Sequence, residues 1–153
     1  MAQQFAVIGL GRFGMSVART LSELGQEVFA IDVDEEKVQR IAPVVTHAVV
    51  ADVTDIEAMK SIGIRNVDVA VITVGSELKA SMVGTMVLRE LGVRTVVAKA
   101  NDDLHGKVLE KLGADRVVYP ERDGGSRLAR MLTSTNLIEQ IDLDPDYSIA
   151  EMT

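Results

Sequence analysis

No cysteine and no tryptophan occur among the 153 residues, and only 3% are aromatic. Without cysteine there is no disulfide, no thiolate metal ligand and no thiol nucleophile. Nothing therefore calls for an oxidising compartment, and a cytoplasmic setting is expected. So few aromatics leave little on which the bases of a single strand could stack. Positive charge is also in the minority. Lys and Arg number 16 against 23 Asp and Glu, for a formal net charge of −7. That balance argues against a surface tracking a phosphate backbone, so no nucleic-acid partner is expected. Long apolar runs are missing too. Val69 to Ile72 is strand-sized, and Met1-Ala2-Gln3-Gln4 has no basic region leading into an apolar one. Neither a membrane span nor a signal peptide is expected. What is abundant is aliphatic: 47% hydrophobic residues suffice for one good core and leave little for a second full domain.

Short apolar runs recur at Phe5–Ile8, Val28–Ile31, Ala48–Ala51, Val69–Val74, Thr95–Ala98 and Arg116–Tyr119. Their near-continuous Val, Ile and Ala content predicts strands covered on both faces, as in parallel sheets. Between them, helical spacing predicts helices over about 12–24, 35–41, 55–62, 77–91, 102–112 and 124–135. Thr54 with Glu57 reads as a capping box, and Asp34, Ser76, Asn101 and Asp123 stand where N-caps belong. Gly25, Gly63, Gly92 and Gly113 stand at helix ends. The final stretch, 137–153, breaks the alternation at Asp142, Asp144, Pro145 and Asp146 before a short expected strand around 147–150. Alternation of strand and helix implies right-handed crossovers and an α/β fold.

The first strand runs into Gly9-Leu10-Gly11-Arg12-Phe13-Gly14, and the second ends on Asp32, about twenty residues further on. With a strand before, a helix after and an acid at distance, this is the dinucleotide fingerprint of a Rossmann-type, doubly wound, six-stranded sheet of order 3-2-1-4-5-6. Gly9 permits the turn, Gly11 lets backbone approach a pyrophosphate, and Gly14 lets the helix pack closely on the sheet. The phosphates are expected on the helix N-terminus. Asp32 is placed to accept from ribose hydroxyls and to repel a 2′-phosphate, which favours adenosine or NAD over NADP.

Asp52 ends the third strand and is a candidate for the adenine amino group, or a solvated loop carboxylate. Arg12 sits on a first turn that ordinarily favours acids, so it calls for an anion such as a phosphate. Val74, Gly75 and Ser76 follow the fourth strand at the switch point where ligands enter. Lys99, Ala100 and Asn101 leave the fifth strand at the same edge. His105 lies on the next helical turn, where a surface or capping role competes with ligand contact. Phe13, Val33, Asp34 and Val53 flank these positions and complete the candidate cofactor-binding set. Glu121 follows the sixth strand. It is either an ordinary loop acid or reaches phosphates through a divalent cation.

With those residues in place, the chain resembles the KTN or RCK regulatory domains of Ktr and Trk potassium transporters. The resemblance rests on Phe5 to Gly14, on Ile64-Arg65-Asn66, on Val108 to Asp115 and on Tyr119-Pro120-Glu121, and it covers nearly the whole chain. It implies binding of ATP, ADP or NAD(H), dimers sharing nucleotide sites, and an octameric ring beneath a membrane-embedded potassium transporter subunit. The subunit would sit in the cytoplasm, peripheral to the membrane through that partner. By position it implies Arg12 at the terminal phosphate of ATP, Asp32 at ribose, Asp52 at adenine, and Glu121 at a Mg²⁺ or Ca²⁺ near a neighbouring subunit's phosphates. It implies a nucleotide-binding domain over 1–123 and, over 124–153, a crossover helix around Ser126 to Thr135 and the start of a C-terminal lobe. That lobe is essentially missing after Ile149, so a truncated or reduced chain is expected.

The competing reading is an NAD-dependent oxidoreductase, since the same fingerprint opens many of them. The sheet consumes the chain, and no Lys–Tyr or His–Asp pairing offers proton transfer beside a nicotinamide. A sensor rather than an enzyme is expected. If Asp32 faces the ribose, titration calorimetry will find NADP about tenfold weaker than NAD or worse, and Asp32→Ala will narrow the gap. Equal affinities in the wild-type protein would remove Asp32 from the ribose.

Overall fold

The computed structural model describes residues 2–74 and 76–134. Six parallel strands form one sheet: β1 (Gln4–Ile8), β2 (Glu27–Asp32), β3 (His47–Val50), β4 (Val69–Ile72), β5 (Thr95–Lys99) and β6 (Arg116–Val118). Their order is β3-β2-β1-β4-β5-β6, as the fingerprint requires. The first crossovers run outward from β1 to β3, and the later ones run the other way from β4 to β6, so the reversal falls between β1 and β4. Ile8 pairs with Ile31 on one side and with Ile72 on the other, which brings three carboxyl ends to one level.

Helices α1 (Arg12–Glu23) and α2 (Glu35–Ile41) pack along β1, β2 and β3, while α4 (Leu78–Glu90) and α5 (Asp103–Lys111) pack along β4, β5 and β6. Right-handed connections place these two pairs on opposite faces of the sheet. Val7, Leu10, Ala18, Val28, Ala30, Val38 and Ile41 form one buried cluster. Fully buried Ile72, Leu88, Val93 and Leu109 belong to the half built from β4 to α5. A short α3 (Ile56–Ser61) and a 3₁₀ turn (Ile64–Asn66), which periodicity does not reveal, connect β3 to β4. The described residues divide into two units, with Val118 ending the first and Tyr119 opening the second. In the second unit, α6 (Pro120–Leu132) carries Leu128 and Leu132 exposed one turn apart, and the Arg122 guanidinium lies 3.9 Å over the Tyr119 ring.

Local capping differs from the sequence reading at four helices. Asp55, not Thr54, caps α3 by accepting from the Ala58 amide, because the Thr54 hydroxyl donates to Asp52 instead. Asp102, not Asn101, caps α5, and the Asn101 amide donates to His105. Glu77, not Ser76, is the first residue of the α4 cap, with no side-chain bond. α6 begins at Pro120 rather than after Asp123, since proline's fixed φ suits a first helical position. Asp34 does cap α2. Gly25, Gly63, Gly92 and Gly113 all take positive φ. The expected strand at 147–150, the end of the expected crossover helix, and Gly75 lie outside the described residues.

Candidate nucleotide-binding site

The site is assembled from the turn between β1 and α1. Gly9 has φ +98°, a conformation that side chains with a Cβ rarely adopt, and its amide donates to the Ile31 carbonyl at 2.8 Å. The buried Thr73 hydroxyl donates to the Gly9 carbonyl at 2.7 Å and so ties the turn to the end of β4. Gly14 packs against the turn so closely that a Cβ there would stand 1.8 Å from the Gly9 oxygen. At Gly11 the opposite holds. A Cβ built there meets no atom within 4 Å. Among the described residues no steric contact demands glycine at 11, which leaves its open backbone free for what enters the cleft.

Gly11 is the N-cap of α1, makes no side-chain cap bond, and is followed by a first turn without an acid. By contrast Asp34, Asp55 and Asp102 satisfy the amides of α2, α3 and α5. The leading amides and positive dipole end of α1 are thus left for an anion from outside. Asp32 closes the other wall. One of its oxygens accepts from the Leu10 amide at 2.7 Å and the other from the Asp34 amide at 2.8 Å. Each carboxylate oxygen has a second lone-pair direction, so these bonds orient Asp32 and leave acceptor capacity for a hydroxyl.

A cleft of about 310 Å³ brings together Gly9, Gly11, Asp32, Val33, Val74 and Ser76. It continues into a recess of about 80 Å³ lined by Val33, Ala51, Asp52, Val53 and Val74. Asp52 is not the free carboxylate that the sequence suggests. Its Oδ1 accepts from the Thr54 amide and hydroxyl, which hold its carboxyl below the ordinary value. It is therefore charged and oriented at the recess. Val53 is buried beneath Gly84, so it forms part of the floor rather than an exposed contact. Asp34 serves as the α2 cap.

Other predicted residues lie off this cleft. Arg12 lines an adjoining cleft over α1. Lys99 Nζ stands 5.7 Å from the Phe13 ring centroid, which joins the end of β5 to the glycine turn. Ala100 is buried and its amide extends the pairing of β5 with β6. His105 is neither on the surface nor without partners, as the sequence suggested. Its Nδ1 accepts from the Asn101 amide at 3.0 Å, and its Nε2 meets the Ser81 hydroxyl at 2.8 Å on α4. An amide can only donate, so the proton sits on Nε2 and the ring is neutral. Burial pushes its pKa down, against the smaller opposing pull of Asp102. His105 is thus a tie between α4 and the β5–α5 loop. Glu121 lies in the first turn of α6, in the second unit. No group of three or more His, Asp or Glu suited to a metal occurs among the described residues.

Lys37 and Glu77 line the main cleft and were not among the expected residues. Lys37 reaches it only because α2 packs beside the glycine turn. Glu77 is there because α4 starts one residue later than Ser76 suggested.

A glycine turn feeding an uncapped helix, with an oriented acid on the neighbouring strand, defines a Rossmann-type nucleotide-binding domain. The chain belongs to the TrkA-N domain family, whose model matches residues 5–120. It is 45% identical over 152 residues to Ktr system potassium uptake protein C of Bacillus subtilis, covering 99% of this chain and 69% of that one. The TrkA-N domain of the inner membrane protein ybaL from Escherichia coli has the same fold, with a TM-score of 0.76 at 17% identity over 86% of this chain and 98% of that one. So does the GsuK channel in its NAD-bound structure, with a TM-score of 0.67 at 14% identity over 77% of this chain and 21% of that one; GsuK has also been solved bound to ADP. The Ktr relatives of Bacillus subtilis and Vibrio alginolyticus are named as potassium uptake proteins, not as enzymes.

The two glycines give separable outcomes. Gly14→Ala will cost about 3 kcal/mol in urea unfolding, because the added carbon overlaps the Gly9 carbonyl. Gly11→Ala will cost only about 1 kcal/mol, through loss of a favourable N-cap residue, yet weaken ADP binding about tenfold. If Gly11→Ala binds ADP normally, backbone clearance is not the purpose of Gly11.

His105 yields a pH dependence. Its folded pKa lies below its ordinary value of 6.5, so the unfolded chain takes up the proton first. The stability that the neutral ring contributes is therefore present above 6.5 and declines as pH falls through that value towards the folded pKa. Urea unfolding across this range will show the decline in the wild-type protein, and His105→Gln will flatten it. An equal decline in the variant would exclude His105 as its source.

Proposed function

We propose that this chain is the nucleotide-binding domain of a cytoplasmic regulatory subunit of a Ktr- or Trk-type potassium uptake system. The observation that carries the nucleotide assignment is the uncapped start of α1 above Gly11, facing the oriented Asp32. ATP, ADP or NAD(H) would place its phosphates at those amides, its ribose at Asp32, and its adenine in the recess beside Val33, Asp52 and Val53. Val74, Gly75 and Ser76 would flank the phosphates from the β4 side, with Lys99 and Phe13 beyond them. Identity of 45% to a Ktr system potassium uptake protein supports the transport assignment. GsuK, of the same fold, supports the nucleotide classes through its NAD and ADP complexes.

Regulation follows from differential contact. A ligand shifts a conformational equilibrium only as far as it binds one state better than the other. Arg12, on the first turn of α1, is the group placed to respond to an additional phosphate. Glu121 of a neighbouring copy would add a Mg²⁺- or Ca²⁺-bridged contact, and α6 would cross between copies of a dimer-based octameric ring. Contacts of about 1.5–3 kcal/mol each, summed over a dimer, are enough to reorganise such a ring and so gate the membrane subunit.

Small-angle scattering of the protein with ATP and with ADP is expected to give two different dimer geometries, and Arg12→Ala is expected to abolish the difference. Identical scattering in the two wild-type states would rule out the switch. An unchanged response in Arg12→Ala would move the sensor to another residue.

A further inference from the structure

A second recess lies beside the nucleotide cleft. It is an open cleft of about 590 Å³ between α1 and α2, lined by Leu10, Gly11, Met15 and Ser16 and by four cations, Arg12, Arg19, Lys37 and Arg40. No carboxylate lines it. Arg12 and Arg19 stand two turns apart on one face of α1, and Lys37 and Arg40 stand one turn apart on α2. Among the described residues, none of the four makes an ion pair or a side-chain hydrogen bond. The arrangement runs against the acidic balance of the whole chain, whose formal net charge is −7. Like charges one turn apart destabilise a helix unless an anion lies between them. Glu23 on α1 and Glu35 and Glu36 on α2 lie on the same helices but do not line the cleft, so its charged lining is of one sign and suits an anion.

We propose that this cleft is a second anion site, specific for a small polyphosphate, which is occupied together with the nucleotide. Its position favours that ligand class. The cleft shares Leu10, Gly11 and Lys37 with the nucleotide cleft, so the two sites meet along the glycine turn and Lys37 faces both. A phosphate carried on the nucleotide's own ribose is a poor occupant, because it would meet the Asp32 carboxylate on its way. A separate ligand avoids Asp32. Three of the four cations are arginine, whose planar fork matches phosphate oxygens two at a time. Met15 and Ser16 in the lining provide no carboxylate and only one hydroxyl, so the guanidinium and ammonium groups set the selectivity. With Lys37 common to both clefts, occupancy of one site will change affinity at the other, and by linkage the effect is reciprocal.

The inference rests on the nucleotide reading only for this coupling; the charge arrangement stands by itself. The test is titration calorimetry with inorganic tripolyphosphate at low ionic strength, first on the free protein and then on protein saturated with ADP. Tripolyphosphate is expected to bind the ADP-loaded protein, to weaken with added salt, and to lose about tenfold or more in affinity in Arg19→Gln/Arg40→Gln, which leaves ADP affinity within about twofold. Circular dichroism of the double variant checks that it is folded. Tripolyphosphate that binds only in the absence of ADP, or that binds the double variant as well as wild type, would overturn the proposal. So would an oligoglutamate of matching charge that binds as tightly, since that would point to a protein partner. Failure of ADP to bind, with tripolyphosphate still bound and sensitive to Arg19 and Arg40, would overturn the nucleotide reading and leave the second site standing.

Discussion

The tightest of the glycine contacts sets the geometry of the cleft: α1 lies against the turn at Gly9 with no room for even one carbon on Gly14. That approach fixes where α1 begins and therefore where its free amides and dipole converge. The buried Thr73 hydroxyl holds the same turn from β4, and the Asp32 carboxylate holds it from β2. Three adjacent strands thus determine one helix start. Because β1 sits between β2 and β4, the turn lies at the point where the direction of the crossovers reverses, and a crevice opens there.

The helices divide their N-termini between two uses. Asp34, Asp55 and Asp102 close α2, α3 and α5 with side-chain bonds to their own amides. α1 has only glycine at its cap and a cation behind it. α4 and α6 also lack a side-chain cap, but α1 alone starts from the glycine turn, where its free amides face the cleft beside Asp32. The distribution of cations continues the pattern, since the basic residues of α1 and α2 gather beside that same turn. Electrostatics and packing therefore point to one edge of the sheet.

On the other half of the edge, His105 shows how a buried polar residue can tie two elements together. Its ring binds the Asn101 amide and the Ser81 hydroxyl, which sets the β5–α5 loop against α4. Burial keeps it neutral, and neutrality is what allows Nδ1 to accept. Lys99 then leaves β5 towards Phe13, linking this half to the glycine turn.

Fold class and strand order were legible in the sequence because each follows from a local rule, and the glycine turn and Asp32 stand at the strand ends where that rule put them. Unbroken apolar runs predict buried parallel strands. The glycine spacing with Asp32 predicts the turn and the strand order around it. Other features needed the tertiary structure. Thr54 and Asp55 are both good caps in sequence, and only the bond from Thr54 to Asp52 decides that Asp55 caps α3. His105 has its Ser81 partner 24 residues away on another helix, a separation no local pattern reports. Lys37, Arg40, Arg12 and Arg19 look in sequence like ordinary charges on two amphipathic helices. That they share one cleft was decided when α1 and α2 packed side by side on the sheet, because side chains far apart along the chain meet only where their elements are brought together.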